Sequence, residues 1–145
     1  MMVNAFDRTT YPITYVYGFG SGRFSYFLTR QKNSRQTGSP YVSKLVRVCQ
    51  NDKSYYSYTE VPLECRDSNG KRYNLVQAAF VGKPGNELSS QLGIQIRDDV
   101  LFAVFSPSYD NPSEDIPAQK SALCIFSLKN IVAKFIHNIQ ECFKG

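Results

Sequence analysis

The sequence is poor in the residues from which metal centres are built. Its 145 residues contain one histidine, no tryptophan and four cysteines. The cysteines are widely spaced and include no C-x-x-C pair: they are Cys49, Cys65, Cys124 and Cys142. Because a structural zinc site needs closely spaced Cys and His ligands, this pattern argues against one, and we predict no metal and no cofactor.

The motifs of common enzyme classes are missing as well. The sequence contains no G-x-S-x-G, no phosphate-binding loop and no H-E-x-x-H. Cys65 or Cys124 together with His137 would formally supply a nucleophile and a base. The pattern places His137 on the polar shoulder of a helix, where a lone histidine is typical of a solvated surface. We therefore predict no catalytic residue and no enzymatic activity.

Long apolar stretches and a secretion signal are also lacking. No apolar run reaches the roughly 18 residues that a membrane-spanning helix needs. The first residues, 'MMVNAFDRTTYPITYVY', do not form the charged and then apolar segment of a signal peptide. Two alternatives stay open at this point: a cytosolic protein, or an internal piece of a longer chain whose signal lies upstream.

What the sequence does contain is the composition of a folded domain. It is 42% hydrophobic and 20% charged, close to the averages for soluble domains, and its length suits one domain or part of a larger one. The net charge of +5 is compatible with nucleic-acid binding. The basic residues are scattered, however, and their loosest cluster comprises Arg23, Arg30, Lys32 and Arg35. We predict no nucleic-acid partner, with a cytosolic basic β-domain that binds nucleic acid as an alternative.

The first half of the chain is rich in strand signals. Ten Tyr and ten Phe favour β-structure. The aromatic segments 13–19 and 24–31 are separated by a short glycine-rich stretch at 20–22, which predicts a hairpin. Residues 41–50 predict a further strand, with Val42, Lys44, Val46 and Val48 on one face and Ser43, Leu45, Arg47 and Cys49 on the other. Which of these faces is buried stays open.

Two more strands are predicted on either side of an Asn-Gly turn. Residues 55–63 form the first, and Pro62 indicates that this strand lies at an edge or ends there. Residues 73–82 form the second. Because the intervening 'RDSNGKR' contains Asn69 and Gly70, we predict that the two strands pair as a hairpin.

The second half of the chain has a different texture. Residues 83–93 predict a short helix, the apolar run 98–108 predicts a buried strand, and residues 121–128 predict another apolar strand. An acidic, proline-containing loop at 109–120 separates these strands, and residues 129–145 predict an amphipathic helix. About seven short antiparallel strands indicate a sandwich, a barrel or a propeller.

Five blocks of the sequence, in order, resemble the sema domain of plexins and of the hepatocyte growth factor receptor group. The blocks are 'YPITYVYGFGSGRFSYFLTRQ', 'SKLVRVCQNDKSYYSYTEVPLEC', 'YNLVQAAFVGKPGNELSSQLGI', 'DDVLFAVFSPS' and 'SALCIFSLKNI'. The resemblance spans residues 11–145 and implies an all-β fold, part of a seven-bladed β-propeller with one short and one C-terminal helix. It further implies that residues 1–145 are one partial sema domain of about two and a half blades, internal to a longer chain.

Two features of the sequence resemble plexins more than the growth factor receptors. The loop after Cys65 is short, 'RDSNGK', whereas the growth factor receptor group typically has a longer basic insert there. The ending, with 'ALCIFSLKNI' and then 'IQECFKG', also resembles the plexin pattern. The sema domain of a tyrosine kinase of the growth factor receptor group is the main alternative.

The resemblance also implies how the cysteines pair. It implies a disulfide between Cys65 and Cys124, which an extracellular location would preserve. Cys49 and Cys142 resemble cysteines whose partners lie outside this chain, so we predict that these two do not pair with each other.

The function implied by the resemblance is that of an extracellular ligand-binding segment on the outer side of the plasma membrane. A semaphorin is the implied ligand, self-association of the receptor is a second implied contact, and a membrane connection would come from a segment outside this chain. Loops are the expected ligand contacts, although most residues in such loops are simply solvated. The loop positions of interest are Arg23, Arg35, Gln36, Tyr109, Asp110 and Glu114.

Overall fold

A computed structural model describes residues 13–34, 36, 38–50 and 59–135. They form seven strands and two helices in two antiparallel sheets. The strands are β1 (Ile13–Ser21), β2 (Phe24–Lys32), β3 (Tyr41–Cys49), β4 (Thr59–Leu63), β5 (Leu75–Gly82), β6 (Val100–Ser106) and β7 (Ala122–Ser127). The helices are α1 (Gly85–Leu92), between β5 and β6, and α2 (Leu128–Phe135), directly after β7.

The first sheet is a simple meander with the order β1-β2-β3-β4. The predicted β1–β2 hairpin is confirmed, and its turn lies at Gly22 and Arg23, where Gly22 has the positive φ of 61° that such tight turns require. Among the described strands, β4 lies at one edge of this sheet, and Pro62 lies within β4. This position agrees with the edge strand that the proline predicted, because proline cannot donate a hydrogen bond to a further strand.

The second sheet has the order β5-β6-β7. The short helix predicted over 83–93 is confirmed as α1, which connects β5 to β6 and ends at Gly93 with a left-handed φ of 68°. The two apolar runs form β6 and β7, as predicted. The predicted C-terminal helix is present over Leu128–Phe135, and its remainder, including His137, lies outside the described residues.

The hairpin predicted across Asn69 and Gly70 forms only as a short one: Arg66 and Arg72 make an antiparallel bridge, and the Tyr73 N–H donates to the Cys65 carbonyl oxygen at 2.8 Å. The predicted pairing of the two longer flanking strands is wrong. The turn itself forms: Gly70 has a φ of 83°, and its N–H donates to the Asp67 carbonyl oxygen at 2.9 Å. However, β4 pairs with β3 in the first sheet, whereas β5 pairs with β6 in the second. Leu75 and Val76, adjacent residues with side chains on opposite faces, are both completely buried, which requires packing on both sides of β5 and draws it away from the edge strand β4.

The core lies between the two sheets. Buried residues of both sheets and of α2 meet there, namely Tyr26, Leu28, Leu45, Val61, Leu63, Val76, Leu101, Ala103, Phe105 and Ile131. Strands β1 and β5 also meet, where the Val81 N–H donates to the Tyr17 hydroxyl oxygen at 3.2 Å. The described residues thus form two packed sheets of four and three strands, where about two and a half blades were predicted.

The opposite side of the second sheet, here called the outer face, is apolar and accessible. The strand register places its members in two rows across β5, β6 and β7: Phe80, Phe102 and Ile125 in one, and Ala78, Val104 and Leu123 in the other. The Phe80 and Phe102 rings stack with centroids 4.9 Å apart. Phe80 is 57% exposed and Leu123 is 58% exposed, so this face resembles a core surface that lacks its covering layer.

Candidate binding surface

A disulfide bond joins the two sheets. Cys65, just after β4, is bonded to Cys124 in β7, which lies 59 residues further along the chain. The Cys65 side chain is completely buried in the core. The structure therefore contains the pairing that the resemblance implied, and the bond encloses β5, α1, β6 and the loop that follows.

Cys49 ends β3, is buried and is disulfide-bonded. The residues that the structure describes do not include its partner, because Cys65 and Cys124 are bonded to each other. That the partner of Cys49 lies outside this chain therefore stays a prediction. The prediction for Cys142 falls on a residue outside the described part of the chain.

The loop residues singled out as ligand contacts separate into two ends of the molecule. Arg23 is exposed in the β1–β2 turn, at one end of the first sheet. Gln36 is exposed in the β2–β3 connection at the opposite end, while Arg35 lies outside the described residues. Tyr109, Asp110 and Glu114 belong to the β6–β7 connection, which lies beside the β2–β3 connection, because the Tyr41 N–H donates to the Pro112 carbonyl oxygen at 2.7 Å.

The β6–β7 connection, here called the acidic loop (residues 107–120), has an ordered hairpin-like shape. Its two arms are joined by an antiparallel bridge between Ser108 and Pro117 and by the Tyr109 N–H, which donates to the Ile116 carbonyl oxygen at 2.7 Å. At its tip, the Glu114 N–H donates to the Asn111 carbonyl oxygen at 2.9 Å.

The amino acids at the tip explain why it turns there. The Asn111 side-chain oxygen accepts a hydrogen bond from the Ser113 N–H at 3.0 Å, which is the usual role of asparagine at the first position of a turn. Pro112 follows at the position where its restricted φ favours the same turn. The turn is therefore encoded locally.

Polar side chains fasten the acidic loop to the first sheet. Arg30 of β2 lies 3.0 Å from the Asp115 carboxylate, measured from Nε to Oδ1, and both side chains are largely shielded from solvent. The Arg30 guanidinium also donates to the Val76 carbonyl oxygen at 3.0 Å, so it bridges the loop and the start of β5. The Nε–Oδ1 pair is a close ion pair that lacks hydrogen-bond alignment.

Asn74 provides a second attachment. Its side-chain nitrogen donates to the Tyr41 carbonyl oxygen at 3.1 Å and to the Ser108 hydroxyl at 2.9 Å, and its side-chain oxygen accepts the Ser108 N–H at 3.0 Å. The buried Ser43 hydroxyl donates to the Asn74 carbonyl oxygen at 2.9 Å and accepts the Val76 N–H at 2.9 Å. One asparagine and one serine thus satisfy the polar backbone groups where the two sheets and the loop converge.

Tyr41, which lies beside the loop, has a raised pKa. Burial, and to a smaller degree the Asp115 carboxylate, raises the pKa of Tyr41, while the Arg30 guanidinium opposes this shift. Asp115 is therefore engaged with the first sheet, whereas Asp110 and Glu114 extend into solvent. The outward side of the loop is acidic although the whole chain carries a net charge of +5.

Sequence reasoning found the exposed Tyr109, Asp110 and Glu114, but it missed the exposed Ile116 and the residues that hold the loop in place. Arg30 was noted only as a scattered basic residue, and Asn74, Ser108 and Asp115 were not singled out. The Asn-Pro pair at 111–112 was the one available signal, since it indicates a turn.

The part of the chain that the structure describes contains no group of three or more His, Cys, Asp or Glu side chains that could hold a metal ion. Within the same residues, no helix is both long enough and apolar enough to cross a bilayer.

Comparison with known sequences identifies relatives of this chain. The family profile described as "Sema domain" matches residues 76–145. Plexin-A4 of Danio rerio is 45% identical over 146 residues, a match that covers 93% of this chain and 8% of the plexin. Plexin-A3 of Homo sapiens is 41% identical over 141 residues, covering 93% of this chain and 7% of the plexin. The chain thus spans less than a tenth of the length of these curated relatives.

Solved structures agree with this result. The full extracellular region of Plexin A4 superposes with a TM-score of 0.78 and 39% sequence identity, covering 95% of this chain and 16% of that one. A structure of Drosophila Plexin A in complex with Semaphorin 1b superposes with a TM-score of 0.62 over 84% of this chain and 23% of that one, and its 21% identity supports the fold alone. The predicted all-β, partial-propeller fold is confirmed, and the plexin resemblance is favoured over the growth factor receptor alternative.

Proposed function

Since this chain belongs to the Sema-domain family and is related to plexins, we propose that it is a ligand-binding segment of a plexin-like receptor that recognises a semaphorin at the cell surface. The observation that carries this proposal is the 45% identity with Plexin-A4 over 93% of the chain. The entire chain, residues 1–145, would form one part of a larger sema domain.

The cysteines support an extracellular location. Cys65 and Cys124 form a disulfide and Cys49 is also disulfide-bonded, so none of the described cysteines is a free thiol. Structural disulfides persist in oxidising compartments and are rare in the cytosol. This argues against the cytosolic, nucleic-acid-binding alternative.

The proposed role is binding without catalysis. Signalling would follow when semaphorin binding reorganises the receptor, including contacts between receptor copies, and the membrane-spanning and signalling parts would lie elsewhere in the longer protein. The described residues offer an ordered, acidic loop surface, which is suited to protein recognition.

The direct test measures binding of the oxidised chain to immobilised semaphorin ectodomains by surface plasmon resonance. We expect saturable binding that is lost when the chain is reduced and alkylated, because the inter-sheet bond would then be broken. A DNA duplex on a parallel channel is the negative control. A folded chain, shown by a cooperative melt, that binds no semaphorin ectodomain or binds the duplex instead would refute the proposal.

A further inference from the structure

We infer that the outward side of the acidic loop is a protein-contact surface, and that it fits a basic partner surface with an apolar recess. This inference rests on the proposed function, since the partner is the semaphorin. It goes further by assigning the contact to Tyr109, Asp110, Glu114 and Ile116 and by specifying the chemistry of the opposing surface.

The first observation is an exposed apolar pair on an ordered loop. The Tyr109 side chain is 67% exposed and the Ile116 side chain is 54% exposed. They lie next to each other across the two arms, because the Tyr109 N–H is bonded to the Ile116 carbonyl oxygen. Tyrosine is enriched among the residues that contribute most to protein interfaces, since it buries a large area at low entropic cost.

The second observation is the charge of the loop. Residues 109–116, 'YDNPSEDI', contain three acidic residues and no basic one. Asp115 is held by Arg30, so Asp110 and Glu114 define the field on the outward side. A carboxylate on either side of an apolar pair favours a partner with basic side chains around an apolar recess, because complementary charges accelerate encounter and fix the register.

The third observation is that the loop is held in place before any partner binds. Its tip is attached through Pro112 to Tyr41, its acidic arm through Asp115 to Arg30, and its base through Ser108 to Asn74. A preorganised loop loses little conformational freedom on binding, so more of its contact energy appears as affinity.

The other large exposed apolar surface, the outer face of the second sheet, does not compete for this role. It is a continuous strand face with the same apolar character as the side that packs on the first sheet. In a propeller such a face is covered by the neighbouring sheet. The acidic loop instead lies at the ends of the strands, where a propeller presents its loops.

The chain offers matched controls at the opposite end of the second sheet. Ile96, between α1 and β6, is 56% exposed and matches Ile116 in residue type and exposure. Glu87 is an exposed acidic residue of α1 and matches Glu114. Substitutions at these positions change the same chemistry away from the proposed contact.

The experiment compares variants of this chain for binding to the semaphorin ectodomain by surface plasmon resonance at low and high salt. We expect Tyr109→Ala and Ile116→Ala each to raise Kd about tenfold, mainly through faster dissociation. The double variant Asp110→Lys, Glu114→Lys should lower the association rate about tenfold at low salt and reduce its salt dependence. Ile96→Ala and Glu87→Lys should change Kd less than about twofold.

The outcomes separate the two claims. If the unsubstituted chain does not bind, both the proposed function and this inference fail. If it binds and the loop variants bind as tightly as their controls, the inference fails while the proposed function stands. Thermal melts of every variant exclude a general loss of folding, because all four loop side chains are exposed and their substitution should leave the melting temperature within a few degrees.

Discussion

Removal of the Cys65–Cys124 bond should destabilise the chain substantially. The bond closes a loop of 59 residues. The chain-entropy treatment of a cross-link of this length gives about 4 kcal/mol of stabilisation, through the restriction of the unfolded chain. For a protein of about this size, each kcal/mol corresponds to roughly 2–4 °C in melting temperature, so the expected decrease is about 8–16 °C.

The substitutions should be chosen so that the cross-link is tested rather than the packing. Cys65 is completely buried, so alanine is preferable to serine, whose hydroxyl would be left without a partner. The double variant Cys65→Ala, Cys124→Ala removes the bond, and the single variant Cys124→Ala removes it while leaving the buried Cys65 sulfur in place. The difference between the two variants reports the loss of packing at Cys65, expected to be smaller than the loss of the bond.

The measurement is the unfolding transition by circular dichroism and calorimetry, without reductant, and with the remaining disulfides mapped by mass spectrometry. Reduction of the unsubstituted chain should lower its melting temperature at least as much as the double variant does, since Cys49 is also disulfide-bonded. A double variant that melts within about 2 °C of the unsubstituted chain would refute the reasoning, because the bond would then contribute almost nothing to stability.

Three further predictions concern the outer face, the half-buried Tyr41 and the Asn-Gly turn. The chain alone should self-associate through the exposed outer face. In light scattering, Phe80→Glu should therefore shift the chain towards monomer, whereas Ile96→Glu, a control of similar exposure, should not. A monomeric unsubstituted chain would contradict this prediction. The pKa of Tyr41 is raised in the folded state, mainly because burial favours the neutral hydroxyl. The contribution of this neutral hydroxyl to folding stability is fully present below the unfolded-state pKa of about 10 and is lost as pH rises further. Tyr41→Phe should therefore flatten the fall in melting temperature above that pH, and an unchanged slope would argue against it. The Asp67 carboxylate accepts the N–H groups of Asn69 and Lys71, both at 2.9 Å, so Asp67→Ala should cost about 1–3 kcal/mol in urea unfolding. Asp110→Ala, an exposed control, should cost less than about 0.5 kcal/mol, and equal losses would show that the turn is not held in this way.

Local patterns were sufficient for most of the secondary structure. The valine-rich segment 41–50 predicted β3, and the short apolar runs predicted β6 and β7, because β-branched and apolar residues favour strands that pack against other elements. The end of α1 at Gly93 was predicted for the same kind of reason: glycine adopts the left-handed conformation without steric cost.

Partner choice was where sequence reasoning failed. The Asn-Gly turn was correctly placed, but the strands on either side of it pair in different sheets. Turn propensity is a property of four neighbouring residues. The apolar area that β5 buries beside β6 instead involves the whole strand and residues as distant as position 106.

The candidate surface combines both kinds of information. The sequence by itself determined an acidic loop with a proline turn and an exposed tyrosine, because charge, turn chemistry and chain order are local properties. Only the tertiary structure decided that Arg30 meets Asp115 and that Asn74 meets Ser108. Those contacts join residues far apart in the chain, and they form only because packing of the two apolar sheet faces brings their strand ends together, which no short stretch of sequence encodes.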